Sequence, residues 1–160
     1  MPSKHQPRVL CVDDDEDSRV MLRTLLALAR IEAKTVSTAA NALFLMRAER
    51  FDLCVMEVWL PGVDGFELCR QIRNIEPHVP VLFFASAADA ADKKKGLKAG
   101  ATVYVVKPDV AGLLRTVMHF VSLAVRPTGK QAIPLRRKVK DISPPFINKT
   151  AQPLSIGWKR

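Results

Sequence analysis

A chain of 160 residues is one domain's worth with little left for a second, and its 48% hydrophobic and 26% charged residues are those of a soluble globular protein. Met1 to Arg8 is too polar for a secretory leader, and no window approaches the roughly 20 apolar residues of a membrane span. The formal net charge of +9 is uneven: residues 1–125 carry 16 basic and 15 acidic side chains, whereas residues 126–160 carry nine basic and one acidic.

Val9-Leu10-Cys11-Val12 is the first apolar run, and it ends in Asp13-Asp14-Asp15-Glu16-Asp17. Val20, Met21, Leu25, Leu28 and Ala29 then recur at helical spacing, with Asp15 as N-cap and acidic residues at the positive end of the helix dipole. Lys34 to Ser37 is a weak second strand, and Thr38 caps a helix through Leu43, Phe44, Leu45 and Met46 that closes near Arg50. Leu53 to Met56 runs without a break into one carboxylate, Glu57, as a strand buried on both faces of a parallel sheet would. Pro61, Gly62 and Gly65 turn that strand into a loop, and Phe66, Leu68, Cys69 and Ile72 carry the next helix from Gly65 to Ile75.

Pro77 and Pro80 fence off a strand from Val81 to Ala85. A poor helix, about Ala90 to Ala99, carries Lys93, Lys94, Lys95 and Lys98 and stops at Gly100. Val103 to Val106 is the fifth strand and ends at Lys107-Pro108. Asp109 caps a last helix whose apolar face is Val110, Leu113, Leu114, Val117, Met118 and Val121. The three cysteines, Cys11, Cys54 and Cys69, have neither metal nor redox spacing and read as buried free thiols of a reducing cytosol.

Five strands alternating with five helices call for a parallel sheet covered on both faces. Four of the strands end beside polar residues: Asp13 and Asp14, Glu57, Ser86, and Lys107. Parallel strands put those ends along one edge, where open α/β sheets hold their ligands, so two acidic ends and one ammonium face a single crevice. There is no Gly-rich phosphate loop of either standard spacing and no His/Cys metal cluster, so the chain has no enzyme signature of those kinds.

The order, spacing and content of these pieces resemble the receiver domain of bacterial two-component response regulators. The matching residues are Val12-Asp13-Asp14-Asp15, the loop from Glu57 through Pro61 to Asp64-Gly65, Ala99-Gly100-Ala101, and Tyr104-Val105-Val106-Lys107-Pro108. The resemblance implies a flavodoxin-like (βα)5 three-layer sandwich with a five-stranded parallel sheet in the order 2-1-3-4-5. It gives a short tail at 1–7, a receiver-like domain at 8–125 and a basic tail at 126–160.

In that family a central Asp accepts a phosphoryl group from a histidine kinase, two acidic residues hold Mg²⁺, and a Thr or Ser and a Lys contact the phosphoryl oxygens. Carried over, Asp13 and Asp14 match the metal pair, with Glu57 beside them, Lys107 matches the lysine, and Tyr104 matches the aromatic that swings inward on activation. The phosphoacceptor position is Glu57, whose carboxylate reaches about 1.5 Å further than that of an Asp. The Thr/Ser position falls on Ala85, which has no hydroxyl to donate, with Ser86 one residue later as the alternative if the loop slips. Both departures imply a pseudo-receiver, not switched by phosphorylation at the usual site, that works in the cytoplasm through protein contacts. Mg²⁺ binding is left open. The alternatives are a working phospho-receiver and a binder of nucleic acid or an acidic partner through the tail.

The implied partners are a histidine kinase, a phosphotransfer protein or a downstream effector meeting about Ala90 to Val125, and a homodimer is a further reading. Beyond Arg126, the prolines at 127, 134, 144, 145 and 153 and the basic cluster Arg136, Arg137, Lys138 and Lys140 read as a solvated, mostly disordered arm. The same cluster would suit an anionic surface, and Phe146, Ile147, Leu154, Ile156 and Trp158 would suit docking on a protein. The family's DNA-binding output domains need more than the 35 residues of this tail.

Overall fold

The computed structural model describes residues 6–86 and 89–124; the basic cluster at 136–140 and the rest of the tail lie outside them. The described chain alternates strand and helix throughout: β1 (Arg8–Val12), α1 (Glu16–Leu28), β2 (Glu32–Val36), α2 (Ala39–Ala48), β3 (Leu53–Met56), α3 (Gly65–Ile75), β4 (Val81–Ala85), α4 (Ala90–Ala99), β5 (Val103–Val106) and α5 (Val110–Ala124). All strand pairs are parallel and the sheet order is β2-β1-β3-β4-β5, as the resemblance implied.

The central strands are unbroken apolar runs because helices cover both faces, so neither set of alternating side chains meets water. Leu10, Val12, Cys54, Met56, Val81 and Phe83 pack on one face against α2, α3 and Ala99 of α4. Val9, Cys11, Leu53, Val55, Leu82 and Phe84 pack on the other against α1 and α5. The three thiols are buried in these layers, and burial pushes Cys11 up to about 12, which makes it a packing group and not a nucleophile.

Side chains cap the helices where short polar residues precede them. Asp15, Thr38, Asp64 and Asp89 accept backbone N–H bonds from Ser18, Asn41, Glu67 and Asp92, and the Asp109 carboxylate accepts from Gly112 in the first turn of α5. Gly100 closes α4 at φ 102°, a left-handed conformation that glycine adopts without steric cost.

Three sequence expectations need correction. The buried stripe of α1 is Leu22 and Leu26, with Met21 and Ala29 packed beside it and Leu25 half-buried, while Val20 and Leu28 are 44% and 79% exposed. Spacing alone could not tell which side of an apolar-rich helix meets the sheet. The second strand begins at Glu32 and ends at Val36, earlier than its apolar content suggested, because pairing with β1 in the register Arg8 to Glu32 sets its limits. It is an edge strand of half-buried residues, so burial left little pattern in it. In α5, Leu113, Val117 and Val121 are buried, Val110 and Leu114 are partly buried, and Met118 is exposed.

Gly65, the first residue of α3, donates its N–H to the Val58 carbonyl at 2.6 Å. A Cβ there would run into the Glu57 carbonyl oxygen and stand 2.9 Å from Val58 Cα and 3.0 Å from the Phe83 ring. Gly65→Ala is therefore expected to lower unfolding free energy by about 1–3 kcal/mol in urea titrations. An unchanged midpoint would show that the loop yields at no cost.

Candidate functional site

Register brings the polar strand ends together in pairs. Val12 lies opposite Met56, so Asp13 and Glu57 leave the sheet side by side. The Glu57 N–H donates to the Val12 carbonyl at 2.9 Å, extending the ladder by one residue. Ala85 lies opposite Val106, and the Lys107 N–H donates to the Ala85 carbonyl at 3.0 Å, so Lys107 leaves the sheet next to β4. A cis Lys107–Pro108 peptide follows.

The three charges then meet. The Lys107 ammonium donates to Asp13 Oδ2 at 2.9 Å and to Glu57 Oε2 at 2.8 Å. Asp13 and Glu57 are only 2% and 8% exposed, and they are the buried charged residues of the described chain. Each carboxylate also accepts a backbone N–H: Asp15 donates to Asp13 Oδ1 at 2.9 Å, and Val58 donates to Glu57 Oε1 at 2.7 Å. Burial works against the Lys107 charge, but hydrogen bonds and attraction from Glu57 and Asp13 outweigh it, and its pKa is raised. The Phe84 ring lies 5.6 Å from the ammonium and adds a weak cation–π contact.

Other residues named from the sequence sit around this triad. Asp14 is exposed. Ala85 is fully buried, and the neighbouring Ser86 is exposed and makes no hydrogen bond to Glu57 or Lys107 among the described residues. Tyr104 is half-buried with its ring 5.7 Å from that of Phe83. Burial, helped by the charges of Asp92, Glu57 and Asp89, pushes its hydroxyl up to about 12. Pro61 is exposed in the loop and Gly65 is buried at its end.

Two contributors were not named from the sequence. Arg19 Nη1 donates to the carbonyls of Asp13 at 2.8 Å and Asp14 at 2.7 Å, clamping the β1–α1 turn. Its signal was available, since an arginine one helical turn into α1 is within reach of the acidic run. Trp59, two residues past Glu57, is 63% exposed at the rim, between buried Val58 and Leu60. Alternation through the loop was the only hint of that.

As placed, these donors do not fit a divalent metal. Lys107 occupies one oxygen of Asp13 and one of Glu57, backbone amides occupy the other two, and Asp14 does not join them. Among the described residues no three acidic, His or Cys side chains gather as a metal would need. No buried side-chain polar atom there lacks a partner.

Comparison with known proteins agrees on what this arrangement is similar to. The response regulator receiver domain family matches residues 9–118. The transcriptional regulatory protein AfsQ1 of Streptomyces coelicolor is 38% identical over 102 residues, covering 64% of this chain and 45% of that protein. The chain thus spans less than half the length of the curated relatives it matches. Among solved structures, the chemotaxis protein CheY4 of Vibrio cholerae superposes with a TM-score of 0.68 at 30% identity, covering 72% of this chain and 98% of that one. The receiver domain of the sensor histidine kinase PA1611 of Pseudomonas aeruginosa, solved with a magnesium ion in its active-site cleft, superposes at 0.68 with 25% identity, covering 73% and 98%. No helix among the described residues is long and apolar enough to cross a membrane.

Removing the ammonium would leave two buried carboxylates facing each other. Lys107→Met is therefore expected to cost about 3 kcal/mol at neutral pH, the low end for breaking a buried pair because the lysine side chain is 19% exposed. The folded-state pKa of Lys107 is raised, so its contribution is complete below the unfolded lysine value of about 10.4 and is lost as pH climbs through the folded value. Chemical denaturation of wild type and variant should show a gap that is constant up to about pH 10 and narrows above it. A gap that widens there would contradict the assignment.

Proposed function

The chain belongs to the response regulator receiver domain family of two-component signalling, and from that premise we propose that it is a receiver whose crevice carries a permanent charge in place of a transient phosphoryl group. It signals through protein contacts and not by phosphorylation at the usual position. The observation that carries this reading is the 2.8 Å contact between Glu57 Oε2 and the Lys107 ammonium. A phosphoryl group carries about −1.5 to −2 charge and three acceptor oxygens, whereas Glu57 supplies one charge and two oxygens, so the mimicry is partial.

Glu57 is also poorly disposed as an acceptor. Its oxygens are held by Lys107 and by the Val58 N–H, and in-line attack tolerates little displacement: about 1 Å can cost ~100-fold in rate. Ala85 supports the same reading, because no hydroxyl at that position can report a phosphoryl group to the rest of the domain. A hydrogen bond to a charged group is worth roughly 1.5–3 kcal/mol, enough to bias a two-state domain, and here that lever is missing.

The partner face in this reading is α4, β5 and α5, the described part of Ala90 to Val125. It presents Lys93, Lys94, Lys95 and Lys98 to solvent, together with Leu97, Met118 and Leu123, which are 57%, 43% and 48% exposed. A histidine kinase, phosphotransfer protein or downstream effector in the cytoplasm would meet it there. The tail readings, nucleic acid or an acidic partner, concern residues outside those described.

Incubation with a small phosphodonor and MgCl2 followed by intact mass tests the proposal. Wild type is expected to gain no labile phosphoryl group, and Glu57→Asp, which restores the shorter carboxylate, is expected to react at least ~100-fold faster. Stoichiometric labile phosphorylation of the wild type would restore the phospho-receiver reading.

A further inference from the structure

The cation in this crevice need not come from solution. Asp13 and Glu57 place two negative charges in a region where they are 2% and 8% exposed, and buried charges persist only when paired. Lys107 supplies a positive charge within 2.9 Å of both. Arg19 supplies a second along the same turn, through the carbonyls of Asp13 and Asp14. All four carboxylate oxygens of Asp13 and Glu57 therefore have donors before any ion arrives.

We infer that Lys107 is the resident cation of the crevice, that a divalent ion would have to compete with it for the same two oxygens, and that wild-type protein takes up no Mg²⁺ at millimolar concentration. Mg²⁺ demands near-octahedral oxygens at about 2.0–2.1 Å and dehydrates reluctantly. To reach Asp13 Oδ2 and Glu57 Oε2 it would have to displace the ammonium, and the displaced ammonium would remain near a dication. Asp14 is exposed and its carboxylate is not among the groups that hold Lys107. The extra methylene of Glu57 matters here, because it lets one carboxylate span from the Val58 N–H to Lys107.

This inference goes beyond the proposal above: a crevice could hold Mg²⁺ and still refuse a phosphoryl group, so the two stand or fall separately. Its test is a titration of the full chain with MgCl2, read by calorimetry and by thermal unfolding, against NaCl at matched ionic strength. Wild type should give no saturable heat and no shift in Tm beyond the NaCl control. Lys107→Met frees the two oxygens and should make the fold responsive, with Tm rising roughly 3–6 °C at tenfold excess over its Kd. Lys107→Arg keeps the charge and should stay indifferent. Should Lys107→Met fail to fold, Lys107→Gln, which keeps a donor without the charge, takes its place. Saturable Mg²⁺ binding by the wild type at millimolar concentration would overturn the inference, as would a folded neutral variant that ignores the ion.

Discussion

Two carboxylates stand side by side at the edge of this sheet because β1 and β3 are adjacent and in register, Val12 opposite Met56. Neither can be buried as an anion without a cation between them, and the end of β5 supplies one. Lys107 fills that role only because three separate strands are held at fixed offsets, so the ion triad and the sheet order depend on each other. A slip of one residue in β3 would send Glu57 to the opposite face and leave Lys107 with one partner. The buried pairing thus acts as a register check on the strands that make the crevice.

The same dependence explains what the sequence made legible. β3, β4 and β5 and helices α3 and α4 were readable to the residue, because full burial writes an unbroken apolar run in β3 and β4 and Pro and Gly flank the other three. That Asp13, Glu57 and Lys107 share one edge also followed, since parallel strands point their C-termini one way. What did not follow was set by contacts between distant residues. The limits of β2 depend on its partner β1, and the buried stripe of α1 depends on where the sheet lies. That Asp14 is exposed while Asp13 is buried depends on the path of one turn, which Arg19 holds through two backbone carbonyls. None of these leaves a periodic trace in the chain.

The β1–α1 turn is tied down unusually well for a loop. Asp15 caps α1, Asp13 accepts the Asp15 N–H, and Arg19 returns from the first helical turn to hold two carbonyls. Each bond is worth only about 1 kcal/mol net, but together they fix the acidic turn at one height above the sheet. On the other side, Gly65 lets the start of α3 close against the carbonyl of Glu57, which fixes the β3 end just as firmly. The crevice is built to keep its charges still.

A switch needs two states that some input favours unequally, and the input here cannot be the charge of residue 57 if that charge never changes. In the proposed reading, with Glu57 joined to Lys107 and Ala85 silent, the free energy that moves the domain arrives from a partner. That partner would meet the α4–β5–α5 side, where Tyr104 is half-buried and Leu97, Met118 and Leu123 are exposed. A partner that binds one arrangement of that side better shifts the population by no more than its difference in affinity for the two arrangements. In the proposed reading such a receiver reports the concentration of its partner and not the activity of a kinase, and the one added carbon in Glu57 is what converts the second kind of device into the first.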